Sequence, residues 1–160
     1  MEEWRFACDA MLGTLARWLR FAGFDVFFAP HLADAQLAQR ARSEGRWLLT
    51  QDRKLAAAAG PRVLLLRGAS VSQQVAELRQ RLGVAADPQR FFTRCSRCNG
   101  VLAEVAAQEV AGEVPPYVAA HAPRFVRCRG CGRVYWPGSH LPRIEATLRR
   151  LFADPLPHEG

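Results

Sequence analysis

The chain almost lacks lysine: Lys54 is the only one, and the rest of its 22 basic residues are arginines. Against 15 acidic residues this gives a net charge of +7. Guanidinium groups are planar forks that suit phosphate, so a polyanionic partner fits; the arginine and alanine content of a GC-rich or thermophilic source fits equally. No apolar run approaches the roughly 18 residues a membrane span needs. No secretory leader is expected either, since Glu2, Glu3 and Arg5 precede only a short apolar run. A cytoplasmic protein is therefore expected. A disulfide framework is disfavoured, because four of the five cysteines sit in two C-x2-C pairs, as metal ligands do in a reducing compartment. There is no internal repeat, and no low-complexity segment beyond Ala56–Ala59.

Several phosphate chemistries are also missing. No G-x-G-x-x-G follows the first apolar run, which disfavours a dinucleotide site. A haloacid-dehalogenase-like phosphatase wants a second aspartate two residues after Asp9, and Met11 stands there. The acidic pair and late lysine of a response-regulator receiver are not evident.

What is present begins with three aspartates. Apolar runs stop at Asp9 after W-R-F-A-C, at Asp34 a few residues past D-V-F-F-A-P, and at Asp52 in W-L-L-T-Q-D-R-K-L. A helix-like pattern follows each. A parallel α/β sheet collects the C-terminal ends of its strands on one edge, so the three carboxylates are expected to converge. Like charges brought together need a cation, and hard oxygens suit Mg²⁺ or Mn²⁺. Metal-dependent phosphodiester chemistry is the leading reading. Each aspartate also stands where a helix N-cap belongs, worth about 1 kcal/mol. Capping explains any one of them alone; three in succession favour a shared site.

Strands are expected over Trp4–Cys8, Asp25–Ala29, Arg46–Thr50 and Val63–Leu66. Helices are expected over Ala10–Ala22, Asp34–Ser43, Arg53–Ala59 and Ser70–Leu82. The first helix carries Met11, Leu12, Leu15, Ala16, Trp18, Leu19 and Ala22 on one face, with Arg17 and Arg20 opposite. Such alternation predicts a doubly wound α/β sheet over residues 1–88. The character then changes. Residues 90–133 hold seven arginines, three glutamates and all four paired cysteines, and a closing helix over Leu141–Phe152 completes a second module spanning 89–160. Residues 154–160 read as a frayed end.

Cys95-Ser-Arg-Cys98 and Cys128-Arg-Gly-Cys131 each offer two thiolates at the spacing that grips one tetrahedral ion. The intervening residues 99–127 can form a hairpin that joins them. Four thiolates with no vacancy define a structural Zn²⁺ site, with Gly100 and Gly132 in the knuckle turns. Cys8 stands apart as a buried strand residue. Tyr135 and Trp136 stack nucleic-acid bases or pack over the ribbon, the packing reading being the simpler.

Phe6–Asp25, Glu44–Asp52, Cys95–Gly100 and Cys131–His140, four motifs in order across nearly the whole chain, resemble the Mut-seven C-terminal family of PIN-like ribonuclease domains with a zinc ribbon. The resemblance implies a PIN-like sheet, RNA as substrate, and Mg²⁺ or Mn²⁺ held by Asp9, Asp34 and Asp52. It makes Arg17, Arg20 and Arg53 candidate phosphate contacts; Arg127, Arg129 and Arg133 of the ribbon are candidate RNA contacts through their charge. PIN nucleases usually present a fourth acid near the fourth strand, where residues 63–70 offer Arg67 and no carboxylate. The alternative is an RNA-binding module that keeps this fold without catalysis.

Overall fold

The structure, a computed structural model, describes residues 3–153. Its first half is a four-stranded parallel sheet of β1 (Arg5–Cys8), β2 (Asp25–Phe28), β3 (Trp47–Thr50) and β4 (Val63–Leu65) in the order β2-β1-β3-β4. Continuous apolar strands fit burial on both faces. Phe6, Cys8, Val26, Leu49 and Leu64 face α1 (Gly13–Phe21) and α4 (Val71–Leu82). Ala7 and Leu48 face α2 (Asp34–Ser43) and α3 (Arg53–Ala58). The sheet is thus doubly wound.

The expected first helix differs at its start. Ala10–Leu12 is a 3₁₀ turn capped by Asp9, and the α-helix begins only at Gly13. The tighter turn swings Met11 out of the apolar stripe, leaving it 74% exposed. Gly13 is followed by a well-formed apolar face, and Leu15, Ala16 and Leu19 are buried.

The second half is a three-stranded antiparallel sheet of β5 (Leu102–Val105), β6 (Phe125–Cys128) and β7 (Val134–Tyr135) in that order. Residues between the cysteine pairs are more than a plain hairpin. Two short helices, α5 (Ala107–Val110) and α6 (Pro116–His121), lie between β5 and β6. They are held because Val110, Val114 and Phe125 bury a small core of their own against one face of the sheet. The closing helix α7 (Leu141–Leu151) returns to the first half, where Leu148 packs with Ala22 and Phe91. The expected frayed end, 154–160, lies outside the described residues.

Candidate functional site

The parallel sheet reverses its winding between β1 and β3: the chain moves from β1 outward to β2, then crosses to the other side. Ligands of such sheets bind beyond the strand C-termini at this switch point. Asp9 directly follows β1 and is buried there. Its Oδ1 accepts the Met11 amide at 3.0 Å, and its Oδ2 accepts the Gln51 amide at 3.1 Å and the Thr50 hydroxyl. The same hydroxyl accepts the Asp52 backbone amide at 2.9 Å, so Thr50 ties the Asp9 carboxylate to the backbone of the turn that carries Asp52. Asp52 caps α3, its Oδ1 accepting the amides of Lys54 and Leu55 at 2.8 and 3.2 Å. Asp34 opens α2 on the same sheet edge and is exposed; Ala33, rather than Asp34, is the N-cap.

The three aspartates therefore share an edge but not a single tight shell. Among the described residues, only the four cysteines form a group of three or more candidate ligands whose atoms all lie within 4.8 Å of one another. Asp9 and Asp52 both cap, and both follow strands that flank the switch point.

Sequence patterns missed four neighbours of this edge. Thr50 is wholly buried at the end of an apolar strand, where a hydroxyl needs a partner. Gln51 donates to Gly68 O at 2.9 Å, and Gln74, also buried, donates to the same oxygen at 3.0 Å. Glu77 of α4 brings a carboxylate to the loop after β4, where none was expected within 63–70. It accepts the amides of Arg67 and Gly68 at 2.9 Å, so it holds that loop beside Gln51. The polar run T-Q-D after W-L-L was the available signal.

The arginines separate by role. Arg53 begins α3 beside Asp52 and is exposed on the acidic edge. Arg17 lies over the Phe21 ring, 5.3 Å from its centroid. Arg20 corrects its sequence reading: it is 5% exposed, and its guanidinium donates to Val26 O at 2.8 and 3.0 Å and to Ser96 O at 3.2 Å. It pins the ribbon to the sheet and offers no free fork to phosphate. Arg127 is paired with Glu113, one contact being 3.0 Å, while Arg129 and Arg133 are exposed.

The second centre is sulfur. Cys95 and Cys128 are buried, Cys98 and Cys131 exposed. Cys95 Sγ lies 3.9 Å from Cys131 Sγ, and Cys98 Sγ 3.3 Å from Cys128 Sγ. A tetrahedral Zn²⁺ with Zn–S of ~2.3 Å requires S–S separations of about 3.8 Å. The first separation matches this spacing, the second is tighter, and glycines shape the cradle around both. A Cβ on Gly100 would lie 2.6 Å from Cys128 Sγ, and one on Gly130 would lie 3.1 Å from Cys98 Sγ. The Gly130 and Cys131 amides point at Cys128 Sγ from 3.3 and 3.4 Å.

Charge tells the same story. The Arg133 backbone amide, aided by its guanidinium, holds the Cys131 thiol down to about 6. Burial first, then the adjoining thiols, push Cys98 up to about 12. Burial works to raise the Cys95 thiol, but hydrogen bonds led by Tyr135 hold it below the ordinary thiol value. Cys95 and Cys131 thus ionise readily while Cys98 resists, a conflict that a bound dication removes. The turn residues differ from expectation. Asn99 at φ 74° and Gly132 at φ 79° take the matching left-handed positions after each pair, while Gly100 serves by lacking a side chain. Cys8 is buried, and burial raises its thiol pKa, so it remains a neutral core residue.

The two centres lie at opposite ends of the parallel strands. Arg5 at the start of β1 is in register with Asp25, which pairs with Asn99 beside the cysteines, whereas Asp9 follows the last residue of β1. Four strand rises separate these ends, about 13 Å.

A doubly wound parallel α/β domain with acidic residues at its switch point, carrying a four-cysteine ribbon at its other edge, is the class of protein these features define. The chain belongs to the Mut7-C RNAse domain family, which matches it over residues 4–148. No curated protein and no solved structure matches it. Among the described residues no helix is long and apolar enough to cross a membrane.

Proposed function

We propose that this protein is a Mg²⁺- or Mn²⁺-dependent ribonuclease that hydrolyses RNA phosphodiester bonds at the edge bearing Asp9, Asp34 and Asp52. The observation that carries the reading is Thr50, whose hydroxyl donates to the Asp9 carboxylate and accepts the Asp52 backbone amide, linking the ends of β1 and β3 in a chain of an RNAse family. The donor set is hard oxygen, which fits such a cation, and Mg²⁺ commonly takes only one or two carboxylates and keeps its waters. Asp9 and Asp52 would hold it, with Asp34 on the same rim; the looser spacing of the three suits an ion that retains water between some carboxylates and itself.

When bound, the cation supplies charge neutralisation at the phosphate and a more acidic water. The chain does the rest. Thr50 and the Gln51 amide fix the Asp9 carboxylate, so its orientation is set before substrate arrives. Gln51 ties this turn to the loop after β4, and Glu77 stiffens that loop through two backbone amides. Arg53, exposed beside Asp52, would meet a phosphate there. The structural Zn²⁺ belongs to the ribbon cysteines, which leave no open coordination position for chemistry.

Cleavage of labelled single- and double-stranded RNA, with and without Mn²⁺, tests the reading. Wild type should cleave only with metal, and Asp9→Asn should lose at least about 100-fold while staying folded. Salt-sensitive RNA binding without cleavage by wild type would leave the RNA-binding module as the function.

A further inference from the structure

The ribbon sheet has a second face. Residues directly opposed in an antiparallel pair share a face, so Glu104, Val126 and Tyr135 lie together, and Arg124, two residues before Val126, extends the row. The other face is filled by the small core under α5 and α6. The Glu104 face instead lines a cleft of about 490 Å³ against Phe92 and the first turn of α7, with Trp136 at its rim. That volume lies within the roughly 300–1,000 Å³ typical of small-ligand sites.

Three features give the cleft a chemistry. Aromatic surface is offered by Phe92 and by the part of the Trp136 ring left open at the cleft, the rest of which packs against Phe125 in the ribbon core, 6.4 Å between centroids. Glu104 and Arg124, on that one face, have side chains with no hydrogen bond or ion pair among the described residues. Phe92 stands at φ 60°, a left-handed conformation uncommon for a bulky residue, and its amide is pinned to Phe21 O at 2.8 Å. Backbone strain of this kind gathers at ligand sites.

We propose that this cleft is a nucleotide subsite for single-stranded RNA, selective for guanine. The inference rests on RNA being the substrate, as proposed above. A carboxylate only accepts hydrogen bonds, and the Watson–Crick edge of guanine presents two adjacent donors, N1–H and N2–H. The same edges of adenine, cytosine and uracil place an acceptor beside their donor. Glu104 reads the base, Trp136 gives a stacking surface, and Arg124 meets the phosphate. Because the ribbon sits at the far end of the strands from Asp9, this subsite selects a guanine several nucleotides from the scissile bond.

The test is titration of the full chain with GMP, AMP, CMP and UMP in the absence of divalent metal. Calorimetry gives affinity, and Trp136 emission is isolated by difference from Trp136→Phe. GMP should bind about tenfold more tightly than the others, the discrimination expected of one bidentate base contact, and should quench Trp136. Glu104→Gln should erase the preference; Arg124→Ala should weaken GMP while leaving guanosine unchanged. Both residues are exposed, so these variants keep the fold. Equal affinity for all four nucleotides, no saturable binding at millimolar concentration, or indifference to both substitutions would overturn the proposal. GMP binding by a protein that cleaves no RNA would fail the ribonuclease reading alone, and cleavage without nucleotide binding would fail this one alone.

Discussion

Asn99 donates its side-chain amide to Asp25 Oδ1 at 2.7 Å, although 74 residues separate them. Its own Oδ1 accepts the Val26 amide at 2.9 Å. The residue that turns the chain left-handed after Cys98 is therefore also the staple that fastens the ribbon to β2. Asparagine is among the few side chains that tolerate such a turn, so one residue serves both ends. Around it, Asp25 also meets Arg46 at 2.8 Å and Arg5 at 3.4 Å, and Arg46 reaches Phe6 O at 3.1 Å. The node closes the N-terminal edge of the sheet and leaves the opposite edge to the aspartates.

Asn99→Gly should preserve the turn and delete both bonds. A loss of about 1–3 kcal/mol is expected, since the Val26 amide is left without its partner. Denaturant unfolding measures it, and hydrogen exchange at Val26 should quicken. An unchanged midpoint would mean that the ribbon is fastened elsewhere.

Asp25 makes stability depend on acid in a defined window. Burial works to raise its pKa, but hydrogen bonds from Arg46 and then Asn99 prevail and hold the carboxyl at about 2. Its folded pKa lies below the unfolded value of about 3.9, so its stabilisation is present above pH 4 and drains away as pH falls toward 2. The contribution is on the order of 1–2 kcal/mol once its partly exposed setting is allowed for. Unfolding of wild type and Asp25→Asn should differ at pH 6 and converge near pH 2. Parallel curves at both pH values would remove Asp25 from the acid response.

The cysteine site should carry one tightly held Zn²⁺ per chain, with Zn–S near ~2.3 Å by X-ray absorption. Chelation should loosen the ribbon and its α5–α6 core while the parallel sheet, with a core of its own, persists in far-UV dichroism. Gly100→Ala should mimic partial metal loss, because its Cβ would lie 2.6 Å from Cys128 Sγ. Purified protein that contains no zinc and resists chelators unchanged would refute the site.

Most of the parallel sheet was legible because each strand is a short apolar run closed by a helix signal. Asp34–Ser43 begins and ends as the periodicity predicts, and the α4 boundary needed only Ser70 as its cap. The cysteine pairs were legible from spacing alone. What was not legible was tertiary. Helical spacing puts Arg20 on the same face as Arg17, yet the docked ribbon buries it, and no local pattern announces a partner 76 residues away. Glu77 likewise reads as a solvated helix residue until the β4–α4 loop folds back onto it. Met11 fell out of its stripe because a 3₁₀ turn changes the angular step.

Arg20 and Arg53 then give opposite predictions from the same residue type. Arg20→Ala strips a guanidinium from the carbonyls of Val26, Ser96 and Arg97; of these only the Val26 acceptor is buried, so it should cost about 1–3 kcal/mol and loosen the ribbon. Whatever RNA affinity remains should keep its salt dependence, because Arg20 never met phosphate. Arg53→Ala touches an exposed side chain and should leave stability within about 0.5 kcal/mol. Its RNA affinity should fall, and the slope against salt should flatten by about 0.7, one single-strand phosphate contact. Replacing Arg127, Arg129 and Arg133 together measures the ribbon separately; since that module sits at the other end of the strands, its loss should add to the Arg53 effect. A salt slope that changes with the ribbon set but not with Arg53 would place RNA on the cysteine module alone, and the acidic edge would lose its claim to the scissile phosphate.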